Sequence, residues 1–304
     1  IVQGIPLLFG ATGEILTEKS GHLNLGIPGI MYVGAISGVI GAFLYEMSCG
    51  NSLENMVPAL AILIPLICSI IGSVLMGLIY SFLTVTLRAN QNVTGLALTT
   101  FGIGVGNFFG GSLAKLVESD LPNVILTKTS SFYCVKLPFY DKLGWFGQIF
   151  LSHDFLTYTA IIVALVVSFV LNRTRVGLNL RAVGENPATA DAAGIRVSKY
   201  KYVATCIGSA VAALGGLYYI MDYMGSVEAY KTIEALGWLS VALVIFTLWR
   251  PHISIIGSII FGMLYLAGTR IPTLLGINLG MSATPLLQML PYLVTIVVLI
   301  ITSV

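Results

Sequence analysis

From Val57 to Leu87 the chain runs 31 residues without one Asp, Glu, Lys or Arg. A bilayer core about 30 Å thick is crossed by about 20 helical residues, and within it every backbone N–H and C=O must be satisfied inside the segment. Such a run is therefore expected to fold as a membrane-spanning helix. It is one of nine apolar segments: 1–13, 23–45, 57–87, 93–113, 155–171, 200–222, 236–249, 253–269 and 285–304. Composition agrees, since charged residues make up only 9% of the 304 where a soluble domain carries about 25%. The expected fold class is all-α, a polytopic integral membrane helical bundle with about nine spans, forming a single domain over 1–304.

Three segments depart from the simple pattern. Segment 1–13 is too short to span and reads as the continuation of a helix whose start is missing. Segment 57–87 has Pro58 and Pro65 near its beginning and is expected to be a tilted helix with an interfacial lead-in. Segment 236–249 is short and follows the semi-polar stretch 225–234, which makes it a candidate re-entrant or broken element.

The stretch 173–199 is unlike any other. Asn186 is a good N-cap, and Pro187 suits a first helical position, where its missing N–H costs nothing. Ala188 to Ala193 supply mostly good helix formers, and Gly194 provides a left-handed stop. Arg173, Arg175, Arg181, Arg196, Lys199 and Lys201 flank this short helix. So poor in large side chains, it has little to bury in its own subunit and is shaped to dock in a cleft on another protein. The plainer alternative is an ordinary interhelical loop.

Basic residues favour the cytoplasmic side of a membrane, and short loops count most. If 173–199 is cytoplasmic, alternation places 14–22, 88–92, 250–252 and the C-terminus there too. That side then holds nine basic residues and the other six, four of them in the long loop 114–154. Small residues recur every four positions at Ala204, Gly208, Ala212 and Gly216. They do so again at Gly34 and Gly38, and at Gly102, Gly106 and Gly110. Such stripes let helices approach closely, within one subunit or at a subunit interface.

Catalytic chemistry is scarce, and no enzyme activity is expected of this chain. The chain has no Gly-Lys phosphate-binding loop and no Ser/His/Asp set. His22, His153 and His252 are scattered near span ends without metal-ligand spacing. Cys68 and Cys206 fall in apolar spans. Cys49 and Cys134 both fall in outer loops, where an oxidising compartment permits a disulfide. The net charge of +2 follows the membrane pattern and points to no nucleic acid. No ionised side chain is placed mid-span, which disfavours an ion relay. The polar residues at Asn24, Asn92, Thr94, Thr99 and Asn107 suit a pathway for a polar, uncharged solute. Asn92 and Thr99, seven apart, are expected to share a helical face, with Thr94 on another.

The run GENPATADAAGI at 184–195 resembles the cytoplasmic coupling segment of the ABC-importer permeases of the branched-chain amino acid, simple-sugar and nucleoside group. Three further stretches resemble the nucleoside and simple-sugar branch. These are 6–31, with Glu18-Lys19-Ser20-Gly21 and Asn24-x-Gly26; 89–99, with ANQNVTGLALT; and 236–292, with Trp249-Arg250-Pro251 and Met289-Leu290-Pro291-Tyr292. The chain departs from that branch at Pro28, where Glu is usual, and at Thr99, where Asn is. The resemblance implies a multi-pass permease in the bacterial plasma membrane, surrounded by lipid and paired with an identical or related permease. Cytoplasmic ATPase subunits would carry ATP and Mg, with no cofactor in this chain, and an extracytoplasmic binding lipoprotein or periplasmic protein would deliver the solute. Gly184, Glu185, Asn186, Pro187, Ala190, Ala193 and Gly194 would couple to the ATPase. The implied solute is a nucleoside or related small polar molecule, with branched-chain amino acid or simple sugar as alternatives. A secondary transporter or channel is the alternative of another class.

Overall fold

The computed structural model describes residues 1–50, 53–116, 127–135, 144, 152–224, 230–274 and 289–303. Twelve α-helices are named here: α1 (Ile5–Glu18), α2 (Ile27–Ser48), α3 (Pro58–Ser81), α4 (Gln91–Leu116), α5 (Thr127–Tyr133), α6 (Phe155–Arg173), α7 (Arg175–Glu185), α8 (Pro187–Ala192), α9 (Val197–Tyr218), α10 (Tyr230–Phe246), α11 (Pro251–Leu274) and α12 (Leu290–Ser303). No strand occurs among the described residues. Five stretches are long and apolar enough to cross a membrane: Ile27–Ser48, Pro58–Thr86, Gln91–Gly110, Phe155–Arg173 and Val197–Asp222. Thr232–Phe246, Pro251–Ala267 and Leu290–Ile300 are shorter apolar helices. The fold is the polytopic helical bundle that the apolar segments demand.

Helices α1, α2 and α9 form the centre. α1 packs along α9, and α2 packs on α3, α4 and α9. The small-residue stripe on α9 makes these approaches. A Cβ on Gly208 would lie 2.5 Å from the Gly13 carbonyl oxygen, so α1 and α9 touch backbone to backbone there. Gly216 meets the Met31 carbonyl of α2 in the same way, and Gly34 of α2 faces Ala213. Gly102 of α4 would bring a Cβ to 2.7 Å from the Gly29 carbonyl oxygen. These glycines thus find partners inside this chain, so the stripes on α2, α4 and α9 serve packing within the subunit.

Three boundary expectations change. Residues 14–18 are the last turn of α1, not a loop. α3 begins directly at Pro58 without a lead-in, carries Pro65 inside, and ends in a wider-wound segment, Phe82–Thr86. Residues 230–246 form one continuous helix; the rest of the proposed broken element, 225–229, lies outside the described residues.

The bundle has two distinct ends. At one, the turn after α1, the start of α4, α7 and the α10–α11 turn meet: Leu23 N–H donates to Gln91 Oε1 at 3.0 Å, and the Trp249 indole donates to the Glu18 carboxylate. At the other end, α5 is pinned on three neighbours. The Glu46 carboxylate at the end of α2 accepts from Thr129 N–H at 2.9 Å and Thr129 Oγ1 at 2.6 Å. Tyr133 donates to the Ile62 carbonyl of α3 at 2.7 Å, and Ser130 donates to the Met221 carbonyl. Cys134 donates to the Asp222 carbonyl at 3.5 Å. Burial pushes this thiol up to about 11, which keeps it protonated for that bond. All four cysteines are free, so the Cys49–Cys134 disulfide that the sequence permits is not formed.

Candidate functional site

Local chemistry builds α8 as the sequence anticipates. Asn186 Oδ1 accepts from Thr189 N–H at 3.1 Å, and Pro187 occupies the first helical position. At the far end Ile195 N–H donates to the Ala190 carbonyl at 3.0 Å and Gly194 N–H to the Asp191 carbonyl at 2.8 Å, with Gly194 at φ 81°. This crossed pair closes a helix on a left-handed residue, and it usually draws the flanking apolar side chains together. Consistent with that, Ala190 is only 3% exposed. Glu185, Asn186, Pro187 and Ala193 are exposed. The outward surface of the helix is thus every residue from Pro187 to Ala193 except Ala190. Ala190 alone of this helix is buried inside the subunit.

Helix α7 was not foreseen. Thr174 caps it by accepting from Gly177 N–H at 3.2 Å, and Leu180 and Val183 bury its inner face. Its last turn brings Gly184 onto the turn after α1. Gly21 sits at φ 84°, and a Cβ there would lie 3.1 Å from Gly184 Cα. A side chain at either position would separate the loop 173–199 from α1.

A buried polar cluster lies behind that contact. Glu14 is fully buried, and its carboxylate accepts from Asn24 N–H at 2.9 Å. Asn24 Oδ1 in turn accepts from Gly26 N–H at 2.9 Å. Tyr80 of α3 donates to the Leu23 carbonyl at 2.7 Å, and the His22 ring meets Tyr80 edge-on at 6.1 Å. Burial, then the charge of Lys201, pushes the His22 imidazole down to about 4. The turn 19–26 is therefore fastened by α1, α3 and α4 while touching α7. Reading 14–22 as loop hid Glu14. The signal available was the four-residue spacing of Glu14 and Glu18, which continues the helical period of the apolar run before it.

The structure sorts the polar residues of the candidate pathway into two groups. Asn24, Thr94 and Thr99 are buried. Thr94 Oγ1 donates to the Asn90 carbonyl at 2.8 Å, and Thr99 Oγ1 to the Leu25 carbonyl at 2.8 Å, tying α4 to the start of α2. Asn92 and Asn107 are exposed, and Asn107 Oδ1 accepts from Tyr32 OH at 2.8 Å. Asn92 and Thr99, seven apart on one continuous helix, nevertheless differ in surroundings, because the turn before α2 covers Thr99 and leaves Asn92 exposed. Between Asn92 and Asn107, α4 exposes Thr100 and Gly104, and a Cβ on Gly104 would meet nothing within 4 Å.

Similar proteins add to this geometry. The nucleoside ABC transporter permease protein NupC of Lactococcus lactis is 31% identical over 305 residues, covering 98% of this chain and 89% of the relative. The putative glucose ABC transporter permease protein TsgC13 of Haloferax volcanii is 31% identical over 258 residues, covering 85% and 72%. The guanosine ABC transporter permease protein NupQ of Bacillus subtilis is 29% identical over 308 residues, covering 98% and 89%. No solved structure matches the chain. Matched over residues 1–301, a bundle with this capped loop helix belongs to the family described as the branched-chain amino acid transport system / permease component, and it is a multi-pass membrane permease.

Proposed function

We propose that this chain is the pathway subunit of an ATP-driven importer for a nucleoside or a sugar, with nucleoside the leading reading. The observation that carries the proposal is the fixed contact between the loop 173–199 and the turn 19–26 at Gly184 and Gly21. Motion applied to α8 would pass through α7 to the turn 19–26, which is bonded to α1, α3 and α4 through Glu14, Tyr80 and Gln91. Separate ATPase subunits with ATP and Mg would seat α8. An identical or related permease would complete the pathway, and an extracytoplasmic binding protein would deliver the solute. The whole chain acts as one permease domain, with 173–199 on the cytoplasmic side.

The open face of α4, from Asn92 through Gly104 to Asn107, is the proposed wall of the pathway. The names of NupC and NupQ favour nucleosides, and that of TsgC13 keeps sugar as the second reading. A secondary transporter would need a carboxylate open to its pathway; the Glu14 carboxylate is buried and bonded to Asn24. The test is uptake by the complex reconstituted in liposomes with its ATPase and binding protein. Labelled nucleosides are expected to accumulate only when ATP is supplied, with glucose poorly carried. Uptake that proceeds without ATP under an imposed ion gradient would discard the importer reading.

A further inference from the structure

A slot of about 670 Å³ opens between α6 and α9 at the end of the bundle that carries α8. Val166 and Val170 on α6 and Val203 and Ile207 on α9 line it, four residues apart on each helix, so each helix contributes an apolar rail. Leu16 of α1 closes the back, and Val176, Gly177 and Leu180 of α7 close one end. That volume lies within the range of about 300–1,000 Å³ of ligand cavities. Val166, Val203 and Ile207 are 53%, 47% and 49% exposed on helices long and apolar enough to cross a membrane, so the mouth of the slot is open and apolar.

The rim at the α8 end is different. Arg196 and Lys199 line it, and no carboxylate is among the lining residues. Arg196 is also the N-cap of α9 and makes no side-chain cap, leaving the first-turn N–H groups of a 22-residue helix without one. Uncapped N–H groups and a helix dipole favour an anion. Asn179 Nδ2 donates to Tyr200 OH at 2.9 Å and holds the rim in place. An apolar slot that ends in two cations and a helix start is complementary to an amphipathic anion. We propose that this slot binds an anionic phospholipid, one acyl chain lying between α6 and α9 and the phosphate at Arg196, Lys199 and the start of α9.

A cytoplasmic protein surface does not suit the slot, because it would have to enter the bilayer between Val166 and Val203. Lipid suits it because the surrounding membrane already supplies both parts of the ligand. The bound lipid would brace α7 and the segment after α8, so its loss should loosen the loop that includes Gly194. The proposal is independent of which solute is carried.

The test is native mass spectrometry of the purified, delipidated complex of permease and ATPase, titrated with phosphatidylglycerol or phosphatidylcholine. Phosphatidylglycerol is expected to bind selectively. The double variant Arg196→Ala, Lys199→Ala should lower its affinity roughly thirtyfold, the product of two cations near an anionic headgroup. Val203→Trp and Val166→Trp, both at lipid-facing positions that keep the core intact, should fill the slot and remove binding with the cations in place. Equal binding of the two lipids by the parent, or undiminished phosphatidylglycerol binding in either tryptophan variant, would overturn the proposal. So would tryptophan variants that retain lipid but release the ATPase or a second permease, since the slot would then be a protein seat.

Discussion

Hydrogen bonds of single residues hold the turn 19–26, and the buried His22 ring makes that turn sensitive to acid. The His22 ring is buried neutral, with its folded-state pKa lowered from 6.5 to about 4. Below 6.5 the unfolded chain takes up a proton that the folded chain refuses. Stability from this group is therefore intact above 6.5 and lost progressively between 6.5 and about 4, by up to about 3 kcal/mol. Thermal melts of the parent and His22→Gln across that window should show a steeper acid decline in the parent; parallel curves would remove His22 as the cause. Thr99 and Asn92 separate structure from transport. Thr99→Val leaves the Leu25 carbonyl unpaired and should cost about 1–2 kcal/mol, read as a lower melting temperature. Asn92→Ala, on the open face and with no side-chain hydrogen bond among the described residues, should leave the melt near the parental value and reduce uptake severalfold. The reverse pattern would move the pathway off α4.

Elements act through surfaces that backbone contacts define. Along α1 and α9, Gly13 and Gly208 touch backbone to backbone. Gly208→Val is expected to push these helices apart and cost about 1–3 kcal/mol or more, visible as loss of monodisperse protein in size-exclusion chromatography. On α8 two alanines three residues apart should respond differently. Ala193 is exposed, so Ala193→Glu should preserve the fold and uncouple hydrolysis from transport in the reconstituted complex. Ala190 is buried, so Ala190→Glu places a carboxylate among apolar neighbours and should destabilise the loop by about 2 kcal/mol or more. Normal coupling in the Ala193 variant would show that this side of α8 does not meet the ATPase. At the opposite end Glu46 holds α5, and Glu46→Ala should make the segment around Thr129 more open to protease, since two donors lose their acceptor.

The whole molecule has a direction across the membrane, set by which end faces the cytoplasm. The fold gathers the turn 19–26, the start of α4, the loop 173–199 and the α10–α11 turn at one end, the same grouping that alternation of the spans requires. The basic residues then predict that this end is cytoplasmic. Single cysteines at Ala188 and Ser131, both exposed, can be compared in a variant lacking Cys49, Cys68, Cys134 and Cys206. A membrane-impermeant thiol reagent applied to intact cells should label the Ser131 position and spare Ala188; the opposite result reverses the topology.

The membrane class, the helical bundle and the capped helix at 187–192 were legible because each depends on local chemistry. Runs of apolar residues leave the backbone no choice but the helix, and Asn186, Pro187 and Gly194 act on atoms a few residues away. The partner of each small-residue stripe was not legible, since Gly208 reads the same whether it meets Gly13 of its own chain or a second subunit. Nor was the division of Asn92 from Thr99: seven residues set an angle around α4, while the turn before α2, brought from far along the chain, decides which of the two is covered. Glu14 shows the same limit. A carboxylate near the end of an apolar run looks like a loop residue until the fold delivers Asn24 as its partner, because only tertiary packing can bury a charge-bearing group and supply its hydrogen bond together.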